Sequence, residues 1–181
     1  MTDILPDVLA PGLALVVCGS AAGTVSAQVG AYYAGPGNRF WPTLHRTGLT
    51  SIQLAPQEFR SVLSYGIGLT DIAKTAFGAD SVLRPGDFDR DGLRIRIETF
   101  QPRILAFNGK NAASRFLGGA VSYGWQSGRE IGATRLFVAP STSGAARGFW
   151  SEAPWFELAA AVRSLHGSTT DRIAASTDSG R

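Results

Sequence analysis

The sequence is poor in the residues that build disulfide-linked, metal-binding and membrane proteins. Among 181 residues it has one cysteine, Cys18, and two histidines. No intramolecular disulfide can form, and no group of side chains has metal-ligand spacing. No apolar run approaches the roughly 18 residues that a membrane-spanning helix needs. We therefore predict a protein with no metal, no cofactor and no membrane partner.

Net charge is low as well. Seventeen Lys and Arg residues oppose fourteen Asp and Glu residues, which leaves a net charge of +3 and a pI of about 9.4. This balance permits a phosphate-binding face without requiring one. The N-terminal stretch contains Asp3 and Asp7 and lacks the basic start of a secretory signal, so we expect a cytoplasmic protein.

Four short apolar runs, each closing on polar, Gly or Pro residues, predict the strands of a parallel sheet. They are residues 13–18, 66–72, 103–107 and 135–139. Helix-like segments alternate with them at residues 40–47, 56–65, 88–100, 110–117 and 151–165. The pattern predicts one α/β domain over residues 1–165, a three-layer αβα sandwich with a mainly parallel four-stranded sheet. Small polar residues at 166–181 predict a disordered tail.

Small residues dominate the loop after the first predicted strand, Gly19-Ser20-Ala21-Ala22-Gly23. They let backbone N–H groups approach a flat ligand or an anion, although a tight turn without any ligand accounts for them equally well. No Gly-Lys-Ser/Thr follows, and the spacing does not fit GxGxxG. A nucleotide or phosphate site in some other α/β enzyme remains an alternative, although neither of these phosphate-binding motifs is present.

Two further stretches are more specific: GAYYAGPGNRFW at residues 30–41 and STSGAAR at residues 141–147. Here the chain resembles the mismatch-specific uracil/thymine-DNA glycosylases of the uracil-DNA glycosylase superfamily. In that family Gly-Ile-Asn-Pro-Gly precedes an aromatic residue and Asn-Arg-Phe-Trp, and Asn-Pro-Ser-Gly-Leu-Ser-Arg follows the last strand. The stretch around Asn108 is similar to the hypoxanthine-DNA glycosylase branch. The resemblance implies the uracil-DNA glycosylase fold and a monomer that repairs DNA by base excision, nucleoid-associated if bacterial.

Such an enzyme rotates the damaged nucleotide out of the duplex. The resemblance implies that Tyr33 stacks on the extruded base, a contact worth about 1–3 kcal/mol, unless both neighbouring tyrosines only pack. The first loop, residues 19–23, and Ser143 would line the base pocket. The implied DNA contacts are Ser26, Arg39, Lys110 and a wedge loop of Gly144, Ala145, Ala146 and Arg147. Alanines in place of the family leucine predict weak insertion into fully paired DNA.

Asn108 closes the third predicted strand. An amide there can pair with O4 and N3–H of uracil, and it would reject cytosine, which presents the reverse pattern of donors and acceptors. The alternative is an asparagine that caps the following helix.

The chain departs from the family at the catalytic centre. Ala21 stands where the family asparagine holds the attacking water, and Ser141 stands where the second motif begins with asparagine. We therefore predict that Asp71, at the end of the second predicted strand, activates the water and stabilises positive charge on the sugar. A helix-capping or salt-bridged aspartate is the alternative.

Ser141, or backbone N–H groups of the first loop, would hydrogen-bond the departing base. Lys74 and Lys110 are expected to contact phosphates rather than to act as amine nucleophiles, which predicts hydrolysis without strand cleavage. Because the family asparagine is absent, a non-catalytic protein that binds damaged DNA stays open as the second hypothesis.

Overall fold

The computed structural model describes residues 2–177, except for the side chains of residues 147, 149 and 166–177. The strands are β1 (Leu15–Ala22), β2 (Ile67–Phe77), β3 (Ile104–Asn108), β4 (Gly124–Trp125) and β5 (Arg135–Ala139). The α-helices are α1 (Thr24–Val29), α2 (Phe40–Arg46), α3 (Arg90–Phe100), α4 (Lys110–Leu117) and α5 (Ala153–Thr177). Within the described residues, three 3-10 helices cover Pro56–Tyr65, Pro85–Asp87 and Gly144–Phe149.

The sheet has the strand order β2-β1-β3-β5-β4. All neighbours pair in parallel except β4, which is antiparallel to β5. The prediction of four strands is therefore wrong, because the described sheet has five. The fifth strand, β4, is only two residues long, so its Gly-Trp sequence carries no alternation that a pattern search can detect.

Alternate residues along each strand enter two separate cores. Leu15 and Val17 lie in one core with Phe40 of α2 and Trp155 of α5. The residues between them lie in a second core, which includes side chains from α3 and α4. Helices thus cover both faces of the sheet, which explains why the central strands are apolar without a polar face.

β2 extends five residues beyond the predicted end at residue 72. A segment near the N-terminus lines its outer edge: Val8 bridges Leu69, and the Ile4 N–H donates to the Lys74 main-chain oxygen at 2.7 Å. Because this segment satisfies the edge, the strand continues past the point where its apolar run stops.

α5 continues to Thr177, beyond residue 165 where we expected the last helix to end. The predicted disordered tail remains a prediction, and its last four residues, 178–181, lie outside the described residues. Within residues 2–177, no helix combines the length and the apolarity needed to cross a membrane.

Candidate active site

Asp71 and Asn108 lie at one level of the sheet with Gly19 between them. Asp71 pairs with Gly19 of β1, and the pairing of Cys18 with Phe107 brings Asn108 beside Gly19 on the other side. Residues at one level of adjacent parallel strands project to the same face, and the strands are about 4.8 Å apart. The carboxyl and the amide therefore flank a position that has no side chain.

Glycine is required at position 19. A Cβ there would overlap Oδ1 of Asp71 and would lie 3.3 Å from the hydroxyl oxygen of Tyr33. The carboxyl of Asp71 thus extends across Gly19, and the Tyr33 hydroxyl approaches the same point from the helical layer. Two polar groups, the Asp71 carboxyl and the Tyr33 hydroxyl, thus converge above Gly19.

The Asp71 carboxyl is buried, with 3% of the residue exposed. Burial raises the pKa of Asp71 from 3.8 to about 7, and the negative charge of Asp7 adds to the rise. The charges of Lys74 and Arg96 and the backbone N–H of Gly19 lower the pKa in part. A carboxyl that titrates near neutral pH is suited to accept a proton at that pH.

The sequence left two other roles open for Asp71, a helix cap and a salt-bridge partner, and its surroundings among the described residues fit neither. Asp71 lies inside β2, where it caps no helix. Among the described residues, Lys74 pairs with Asp7 at 2.6 Å, and Arg96 donates to the main-chain oxygen of Asp71 at 3.0 Å. Neither nearby cation therefore forms an ion pair with the Asp71 carboxylate.

Lys74 is an interior residue, with 6% exposed, and its ammonium also donates to the Leu5 main-chain oxygen at 2.7 Å. The predicted phosphate contact for Lys74 is therefore wrong. Its partner Asp7 comes from the segment that lines β2, which no local pattern around Lys74 reveals. The carboxylate of Asp7 also accepts a hydrogen bond from the Thr70 hydroxyl at 2.7 Å.

Asn108 is held in one orientation by Thr142. The Thr142 N–H donates to Oδ1 of Asn108 at 2.9 Å, and Nδ2 of Asn108 donates to the Thr142 hydroxyl at 2.8 Å. Because a backbone N–H can only donate, the amide oxygen and nitrogen are assigned without ambiguity. One amide N–H and one oxygen lone pair stay available. The residue that caps α4 is Gly109, so Asn108 is not the predicted alternative, a helix cap.

Thr142 was not among the predicted site residues. It is fully buried, and its main-chain oxygen accepts a hydrogen bond from the Arg39 N–H at 2.9 Å, which joins the two sequence motifs. Thr142 occupies the place of proline in the motif that this stretch resembles. Both hydrogen bonds to Asn108 use groups that proline lacks. The departure from the motif at this position is therefore the sequence signal that could have identified Thr142.

Tyr33 has an unusual backbone conformation. Its φ is 55°, a left-handed value that only a few non-glycine residues adopt. Its ring stacks on Phe40 with the ring centres 3.9 Å apart. The neighbouring Tyr32 is 1% exposed and packs in the core, as the sequence allowed.

Residues 19–22, predicted as a loop, instead form the end of β1, where pairing with β2 continues to Ala22. This segment is braced by polar contacts within the protein. The Ser20 hydroxyl accepts a hydrogen bond from Nδ2 of Asn111 at 3.2 Å, whereas Ala21 offers no polar side-chain atom. Ala22 is buried, and Gly23 precedes α1. Ser26 is 4% exposed, and its hydroxyl accepts from the Ala34 N–H at 3.0 Å, an interior contact rather than a surface one.

The second motif lies beside the first. The Ser141 hydroxyl accepts from the Ser143 N–H at 3.3 Å, and the Ser143 hydroxyl in turn accepts from the Ala145 N–H at 3.3 Å. A Cβ at Gly144 would lie 3.3 Å from the Pro36 oxygen, so the two loops touch. Ala146 is partly exposed in the same 3-10 helix as Arg147, whose side chain is outside the described part.

Two basic residues predicted to contact DNA lie near these loops. The guanidinium of Arg39 lies 5.1 Å from the ring centre of Trp150, and its Nη1 is buried without a hydrogen-bond partner among the described atoms. Both residues line a depression of about 370 Å³. Lys110 is exposed, with its ammonium 4.4 Å from the ring centre of Tyr123.

Fold and site together define a mainly parallel α/β protein whose candidate site lies at the carboxyl ends of its strands. The family model of the "Uracil DNA glycosylase superfamily" matches residues 6–162, and the chain belongs to this family, whose members act on DNA. The chain is also similar to the solution NMR structure of a "putative Uracil DNA glycosylase" from Methanosarcina acetivorans. The TM-score is 0.59 at 25% identity, over 90% of this chain and 96% of that chain. The fold implied by the two motifs is thereby confirmed.

Proposed function

We propose that the protein is a monofunctional DNA glycosylase that removes uracil, with hypoxanthine as a second substrate, by hydrolysing the N-glycosidic bond. The observation that carries the proposal is the convergence of a buried carboxyl, Asp71, and an amide of fixed orientation, Asn108, above Gly19. The two sequence motifs favour the mismatch-specific branch of the family, and the stretch around Asn108 favours the hypoxanthine branch.

Base selection follows from the orientation of Asn108. Its remaining amide N–H donates to a carbonyl oxygen, which uracil carries at O4 and hypoxanthine at O6. Cytosine and adenine carry an amino group at those positions, and two donors would then face each other without an acceptor. The ring of Tyr33 stacks on the extruded base with the face that does not contact Phe40.

The chemistry begins with the ionised Asp71 carboxylate, which accepts a proton from a water molecule. The water oxygen forms a bond to C1′ as the C1′–N bond breaks, and the electron pair leaves with the base. The Ser141 hydroxyl or backbone N–H groups of residues 19–23 stabilise the charge on the base at O2. Because Lys74 is bound by Asp7, it does not attack C1′, and we expect the product to be an intact strand with an abasic site.

DNA is held by the wedge loop, residues 144–147, and by cationic contacts from Arg39 and Lys110. The alanines of this loop displace little volume. Opening a fully paired site therefore depends on the weakness of the pair itself, which favours mismatched or single-stranded lesions.

A second candidate function is recognition of damaged DNA without catalysis. The observation in its favour is that Ala21, at the position of the water-holding family asparagine, has no polar side-chain atom.

An oligonucleotide panel separates the two candidates. Labelled DNA containing U:G, U:A, single-stranded uracil or hypoxanthine is incubated with the protein, and alkali then reveals abasic sites. Release of a base from any member supports the glycosylase. Tight binding to lesion or abasic DNA without release from any member supports the non-catalytic function.

A further inference from the structure

The hydroxyl of Tyr33 is a buried polar group without a partner. Its oxygen is closed to solvent and makes no hydrogen bond within the described chain. Leaving such a group unsatisfied is destabilising, so it calls for an explanation. Burial raises the pKa of the Tyr33 hydroxyl well above its usual value, and the Asn108 amide, which approaches without the geometry of a hydrogen bond, offsets part of the rise.

The backbone places this hydroxyl by a strained conformation. A φ of 55° is unfavourable for a tyrosine and persists only where the surroundings enforce it. The stacking of the ring on Phe40 fixes its direction. Stacking on a base needs only the ring, which phenylalanine would supply equally well. Stacking therefore accounts for the ring of Tyr33 but leaves its hydroxyl unexplained.

The Tyr33 hydroxyl and the Asp71 carboxyl both approach the space above Gly19. Both oxygen atoms lie within 3.3 Å of the point that a Cβ on Gly19 would occupy, so they are less than twice that distance apart. The two oxygens make no hydrogen bond to each other, and one water with two hydrogen bonds of about 2.8 Å bridges oxygens up to about 5.6 Å apart. Two acceptors in this arrangement orient a water while leaving a lone pair free to attack.

We infer that the Tyr33 hydroxyl and the Asp71 carboxylate together hold the nucleophilic water. They would thereby replace the family asparagine, in whose position this chain has Ala21. This inference rests on the proposed function. One proton of the water goes to Asp71 and the other stays hydrogen-bonded to the Tyr33 oxygen. The water oxygen bonds to C1′, and the electron pair of the broken C1′–N bond leaves with the base.

Tyr33→Phe tests the inference because it deletes only the hydroxyl. We expect kcat for uracil release to fall about 10- to 100-fold, the effect of one lost hydrogen bond to a reacting group, with KM nearly unchanged. Tyr65→Phe is the matched control, since the Tyr65 hydroxyl lies 3.1 Å from the Ser51 hydroxyl, outside the site. It should release uracil at the wild-type rate, and thermal unfolding checks that both variants are folded.

Two results would overturn the inference while the proposed function stands: wild-type kcat in folded Tyr33→Phe, or a raised KM at unchanged kcat, which would assign the hydroxyl to base binding. Failure of the wild-type protein to release any base from the panel is a different outcome. It would overturn the proposed function and, with it, this role of Tyr33.

Discussion

Replacing the proposed catalytic carboxyl should make the protein more stable at neutral and alkaline pH. In the unfolded chain the carboxyl of Asp71 ionises near 3.8, whereas burial raises its pKa to about 7 in the folded protein. Between these values the unfolded state releases a proton that the folded state keeps, so stability falls as the pH rises. The loss is complete above pH 7 and corresponds to about 4 kcal/mol. Asp71→Asn keeps the shape and removes the ionisation.

Urea unfolding of the wild type and Asp71→Asn at a series of pH values measures this difference. At pH 8 we expect the variant to be more stable by up to about 4 kcal/mol, or about 10 °C in Tm. The gain should shrink as the pH falls through 7 and vanish below about pH 3, where Asp71 is neutral in both the folded and the unfolded chain. Asp91→Asn, an exposed position on α3, is the matched control and should show no such pH dependence. If Asp71→Asn is no more stable than the wild type at pH 8, ionisation of the buried Asp71 carboxyl does not lower the free energy of unfolding, and the reasoning is refuted.

Two other predictions concern the groups around this carboxyl. Since Asp71 acts only when ionised, base release should fall as the pH drops below about 7, and Lys74→Met should move this limb to higher pH by removing a charge that lowers the pKa. Lys110→Met is the control in a pH–rate profile and should leave the limb in place; an unmoved limb in Lys74→Met would contradict the assignment. Gly19→Ala should lose about 1–3 kcal/mol in urea unfolding because its Cβ overlaps the Asp71 carboxyl. Gly23→Ala, whose Cβ would meet nothing within 4 Å, should unfold like the wild type, and equal stability of the two variants would refute the close approach.

Much of the fold could be predicted because the four long strands have strong local signals. Each is an apolar run in a chain where runs of this kind alternate with helical segments, and β5 matches its predicted bounds. β1 also continues to Ala22, past its predicted end at residue 18. Two further differences have non-local causes. β4 exists only because Gly124 and Trp125 pair with β5, and β2 extends because the segment around Val8 lines its edge. Neither cause is visible in the residues of the strand itself.

The sequence marks Asp71 and Asn108 as strand-end residues, and the sheet register places them on either side of Gly19; their roles in a site stay predictions. What the sequence could not show is which side chains use each other as partners. Lys74 lies inside the protein because Asp7, 67 positions away, neutralises it. Thr142 matters because its N–H and hydroxyl both reach Asn108, 34 positions away. Partners so far apart in the sequence can be identified only when the sheet register is known.

The rate of uracil release by Asp71→Asn, compared with the wild type in single turnovers at pH 8, tests the central claim most directly. Loss of a general base that acts on the nucleophile lowers a rate by about 100- to 10,000-fold, so we expect a fall in this range. Binding of the uracil-containing oligonucleotide should be nearly unchanged, since the amide of Asn108 and the ring of Tyr33 remain. A variant that releases uracil at the wild-type rate would contradict the claim that Asp71 activates the water.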